Sequence, residues 1–105
     1  MEAAYASLIH RRSGEPVPSD ERAEIVDVLW AHALSDDGLQ HVSARPAPGR
    51  IDLLLYFLGR SCAGDPDAVE RAHALISRSH RASPWLNRRY LPPEPLAPRE
   101  TAAAC

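Results

Sequence analysis

A chain of 105 residues, 45% hydrophobic and 25% charged with a formal net charge of -2, has the size and make-up of one ordinary globular domain. That balance argues against a dedicated nucleic-acid binder, which needs a basic surplus, and no run approaches the ~20 apolar residues of a membrane span. All twelve basic residues are Arg and Ala is frequent, a pattern that points to a GC-rich coding sequence more than to a demand for guanidinium at each position.

Residues 3–11, AAYASLIHR, alternate Tyr5, Ser7 and Ile9 against Ala6 and Leu8 and read as a first strand. Their Ala content and the following His10-Arg11-Arg12 and Gly14 also suit a short capped helix. The charges of MEAAYASLIHRR follow the apolar stretch, the reverse of a secretory signal. Cys62 and Cys105 are too few and too far apart for a disulfide framework. A reducing, cytoplasmic location is therefore expected.

Pro16 and Pro18 mark a loop, after which Ser19 or Asp20 caps a helix running to about Leu34. Ile25, Val26, Leu29, Trp30 and Ala33 recur with helical spacing and should face a core. Leu39 to Arg45 and Arg50 to Leu58 are predicted strands, joined through Pro46-Ala47-Pro48-Gly49 as a hairpin with the first strand at an edge. The second, RIDLLLYFL, is apolar on both alternating faces. Ile51, Leu53, Leu55 and Phe57 line one face, and Leu54, Tyr56 and Leu58 join Asp52 on the other.

Asp65-Pro66-Asp67, read as a capping carboxylate, a proline at the first helical position and a second acid in the first turn, predicts a helix to about Arg81 with Val69, Ala72, Leu75 and Ile76 as its buried stripe. Trp85, Leu86, Tyr90 and Leu91 then suit a last strand or a helical turn begun by Ser83-Pro84, and the strand completes the pattern better. Residues 92–105 are a Pro/Ala-rich tail expected to be disordered. The elements in residues 1–91 thus run strand, helix, strand, strand, helix, strand. This α+β order resembles the ferredoxin-like βαββαβ sandwich, with two helices on one face of a four-stranded antiparallel sheet. Element order alone implies nothing about activity.

No phosphate loop, GxSxG, HExxH or CxxC is present. His73 and His80, two helical turns apart, are too distant to share one zinc, so neither a metal nor another cofactor is expected. Cys62 sits in a loop before a helix, and Cys105 ends a flexible tail where a thiol could be modified or could link chains. The RNA-stacking signature of this fold is met by residues 50–57 only at Arg50 and Phe57, and Asp52 and Leu54 stand where aromatics belong.

From Glu15 to Asp37 there are seven acids and one Arg, and from Arg71 to Arg89 five Arg and no acid. The two segments should largely neutralise each other, leaving Arg78, Arg81, Arg88 and Arg89 as candidates for an anion-binding edge. Function then rests on Leu54, Tyr56 and Leu58 as an apolar patch of the kind that marks a contact site. The expectation is a non-enzymatic interaction or accessory module that forms a homodimer or binds a protein partner, with no membrane role. One alternative is a small dimeric enzyme or ligand-binding domain with a pocket lined by Trp30, His41 and Tyr56. Another is a carrier or scaffold that uses Cys105.

Overall fold

The computed structural model describes residues 1–12, 18, 20–59 and 64–96. Within them the chain forms a three-stranded antiparallel sheet and three α-helices. The strands are β1 (Glu2–Ile9), β2 (Leu39–Ala47) and β3 (Arg50–Phe57), and the helices are α1 (Glu21–His32), α2 (Ala68–Ala82) and α3 (Pro84–Arg89), with a 3-10 turn at Ser35–Asp37. β3 is central, flanked by β1 and β2.

The double alternation of β3 resolves into two unequal faces. Ile51, Leu53, Leu55 and Phe57 are buried with Ala4 and Leu8 of β1, Val42 and Ala44 of β2, Ile25 and Leu29 of α1, and Leu75 and Ile76 of α2 in one core. Because side chains of a strand alternate sides, Asp52, Leu54 and Tyr56 emerge on the face that the helices leave open. β2 stays in phase through a bulge at Gln40, which lets Leu39 and Val42 face inward together. It extends to Ala47, two residues beyond the expected end, and Pro46 is tolerated because β2 is an edge strand. The turn is Pro48-Gly49, with Gly49 at φ +72° as a type II corner requires.

The stripe buried by α1 is narrower than its sequence suggests, and that of α2 is shifted and wider. α1 commits Ile25 and Leu29, one i, i+4 step, and Trp30 lies a further 100° round the helix and is 43% exposed. In α2 the buried positions are Ala68, Ala72, Leu75, Ile76, Ser79 and His80. Val69, expected in the stripe, is 47% exposed, because the stripe passes through its neighbour Ala68. The cap is Asp67 and not Asp65: its carboxylate accepts the Glu70 N–H at 2.9 Å.

The expected fourth strand over 83–91 is mostly helix. Ser83 Oγ accepts the Leu86 N–H at 3.2 Å and Pro84 occupies the first helical position, so local capping wins over sheet pairing. The chain meets β1 only at one antiparallel bridge, His10 to Tyr90, flanked by Arg11 N–H to Arg89 O at 2.9 Å and Leu91 N–H to Ile9 O at 2.8 Å. The next N–H groups in this register, toward the carbonyls of Ser7 and Tyr5, would have to come from Pro93 and Pro95, which have none. Pro92, Pro93, Glu94 and Leu96 instead border a cleft of about 340 Å³ against Tyr5, Ile9, Val69 and Ile76.

Candidate functional site

Strand register assembles the open sheet face from four transverse rows: Ala3–Tyr56–His41, Tyr5–Leu54–Ser43, Ser7–Asp52–Arg45 and Ile9–Arg50–Ala47. The first two rows are largely apolar. Tyr5 is 80% exposed, and the His41 and Tyr56 rings lie 5.9 Å apart at a tilt of 47°. The third row is polar. Asp52 accepts the Ser7 hydroxyl at 2.7 Å and Arg50 Nε at 3.0 Å, and these two hydrogen bonds hold its carboxyl below the usual carboxylate range. The acid inside an apolar strand is therefore paired on the open face. A concavity of about 390 Å³ opens between Tyr5, Ser7, Ser43, Arg45, Asp52 and Leu54.

Of the three residues proposed from sequence as a contact patch, Leu54 and Tyr56 share this face. Leu58 lies one residue beyond β3, is 54% exposed, and lines a separate groove with Asp37, Gly38, Glu70 and Arg71. The triad suggested for a ligand pocket is also divided. His41 and Tyr56 meet on the open face, whereas Trp30 is on α1, which packs against the other side of the sheet.

The four arginines of the candidate anion edge separate by their partners. Arg78 donates to Asp37 Oδ2 at 2.7 Å and twice to the His32 carbonyl, tying α2 to the end of α1 and the turn after it. Arg81 is exposed on the last turn of α2. Arg88 and Arg89, on a helix and not a strand, fall on α3, where Arg89 lies over the Trp85 ring at 4.6 Å and pairs with Glu21 at 3.4 Å. His80 is buried and donates from Nε2 to the Tyr90 carbonyl at 2.9 Å, so it fastens α2 to the bridge segment.

Glu21 is the junction that the sequence does not announce. One of its carboxylate oxygens accepts the Tyr90 hydroxyl at 2.8 Å and faces His10 Nε2 at 3.7 Å, and the other faces Arg89. His10 Nδ1 accepts the Arg12 N–H at 3.1 Å, which places the ring proton of a neutral His10 on Nε2, toward Glu21. Burial first, and the hydrogen bond to Glu21 second, raise the Tyr90 hydroxyl well above the ordinary tyrosine value. Around this junction His10, Arg11, Arg12, Arg88 and Arg89 line a concavity of about 430 Å³ with Pro18 and Glu21. Its sequence signal was the pair of basic doublets, Arg11-Arg12 and Arg88-Arg89. The bridge between them brings the doublets together.

Cys62 and Cys105 lie outside the described residues. Among the described residues no three His, Cys, Asp or Glu side chains are grouped to hold a metal, and no helix is long and apolar enough to cross a membrane. No family model, no curated protein and no solved structure matches this chain.

Proposed function

We propose that the protein is a ferredoxin-like module, its fourth strand reduced to one bridge, that works by association: the apolar half of the open sheet face closes on a second copy. The observation that carries this reading is the register placing Ala3, Tyr5, Leu54 and Tyr56 side by side on the face without a helix, with Tyr5 almost fully exposed. A second copy suits the face because Asp52 stands beside Arg45 and Arg50, so it carries both signs and can be its own complement across a two-fold axis. With three strands about 4.8 Å apart and rows about 6.8 Å apart, the two apolar rows cover roughly 200 Å² per copy and the whole four-row face roughly 390 Å². Both are below the ~800 Å² per partner of a standard stable interface, so the association is concentration-dependent and reversible.

Sedimentation velocity from low to high micromolar concentration tests this, with Tyr5→Asp and Tyr56→Asp as variants whose retained fold is checked by circular dichroism. The wild type should sediment faster as concentration rises and both variants should not. A wild type that stays monomeric throughout removes the proposal.

A further inference from the structure

We infer that the concavity between the end of β1 and the end of α3 is an anion site for a phosphate-bearing ligand of at least two negative charges, of the size of a diphosphate. It is independent of the association proposed above. The apolar rows of Tyr5 and Tyr56 lie toward the start of β1, and this site is built from residues after its end.

Positive charge in this concavity exceeds the negative charge that faces it. Among the described residues Glu21 is the sole acid lining it, and it is engaged by Arg89, His10 and Tyr90. Arg11, Arg12 and Arg88 remain, and among the described residues none of them has a carboxylate at ion-pair distance. Three guanidinium groups gathered in one concavity repel one another unless an anion lies between them, and on a chain of net charge -2 they stand out as a local positive surplus. The arrangement is also held in place before any ligand arrives. Arg11 N–H bonds to the Arg89 carbonyl at 2.9 Å, Arg11 Nε donates to the Asn87 carbonyl at 2.8 Å, and Arg89 lies over the Trp85 ring.

A secondary contribution comes from α1, which starts at this concavity with Asp20 making no side-chain cap. The Glu21 N–H is taken by the Pro18 carbonyl at 3.1 Å, and the rest of the first turn leaves the positive helix end here, offset in part by Glu21 and Glu24. Planar guanidinium forks match phosphate oxygens in pairs, so several of them select phosphate over a halide. At about 430 Å³ the space admits a diphosphate.

Calorimetric titration of the full chain with inorganic pyrophosphate at low salt tests the assignment. The variants are Arg12→Ser and Arg88→Ser in the site and Arg45→Ser on the open sheet face, each of which removes one positive charge. The expected result is saturable binding at one site per chain, weakened about tenfold or more by each site variant and left unchanged by Arg45→Ser. Arg12 and Arg88 are exposed and hold no element in place, and circular dichroism checks that their variants stay folded. Absence of saturable binding to the folded wild type overturns the inference, and so does an equal loss in all three variants, which would mark general charge attraction. Parallel titration with ADP identifies what is read: equal affinity assigns recognition to the phosphates alone, and tighter binding adds a contact from the nucleoside.

Discussion

Replacing Pro93 and Pro95 together by Val should let the bridge at Tyr90 grow into a fourth strand. The register follows from two hydrogen bonds: Leu91 N–H reaches Ile9 O, while His10 N–H turns the other way to Gly49 O at 2.9 Å. Odd-numbered residues of β1 therefore present their backbone groups to the outer edge, and residues 93 and 95 fall opposite Ser7 and Tyr5. Two restored N–H donors contribute about 0.5–1.5 kcal/mol each. Loss of two prolines gives back about 0.4–1 kcal/mol each, through the greater freedom of the unfolded chain. The two effects nearly cancel in global stability, so the melting temperature is a poor readout.

Amide hydrogen exchange is the sensitive measurement. Tyr5 and Ser7 N–H point to the same edge and should gain carbonyl partners, slowing their exchange about tenfold for each ~1.4 kcal/mol of added protection. The backbone amides that the double variant introduces at positions 93 and 95 should themselves be protected. Pro92→Val is the control, because position 92 faces away from β1 in this register. If Pro92→Val protects Tyr5 and Ser7 as well as the double variant does, or if the double variant leaves them unprotected, the register argument is wrong.

Three further outcomes follow from the packing. Glu21→Ala leaves the buried Tyr90 hydroxyl without its acceptor and should cost about 1–3 kcal/mol in urea unfolding, whereas Tyr90→Phe, which removes the donor as well, should cost less. Tyr90 also fixes an alkaline limit: its pKa is raised in the fold from 10.0. Its contribution is therefore full below pH 10 and is lost as pH rises through the folded value, because the unfolded chain deprotonates first. Wild type minus Tyr90→Phe stability should be flat from pH 7 to about 9 and fall above about 10. Gly38→Ala forces a side chain into a backbone at φ +68°, with a cost of about 1 kcal/mol in thermal or urea unfolding.

How much of this was readable in advance depended on whether a signal was local. The inward run of Ile51, Leu53, Leu55 and Phe57 needed only strand parity, and each of the four is buried. Parity also placed Leu54 and Tyr56 together, but it could not carry Leu58, where the strand has ended and the chain turns toward Gly38 with a hydrogen bond of 2.8 Å. Ser83-Pro84 was an equally local signal. It competed with Trp85, Leu86, Tyr90 and Leu91, which suit a strand as well as a turn of helix, and six residues are too few for periodicity to decide.

The Glu21 junction shows a different kind of limit. Its partners, His10 and Tyr90, lie 11 and 69 positions away, and no spacing rule relates a residue at the start of one helix to residues on either side of a single bridge. Charge composition anticipated attraction between the acidic and basic segments, and two of its instances are Arg78 with Asp37 and Arg89 with Glu21. What it could not anticipate is which arginines these pairings leave over. That remainder depends on the bridge, which sets Arg11 against Arg89 and so gathers two basic doublets from opposite ends of the described chain. The prolines that stop the pairing at 93 and 95 belong to the same register. One pair of backbone hydrogen bonds thus governs both how far the sheet extends and where its positive charge collects.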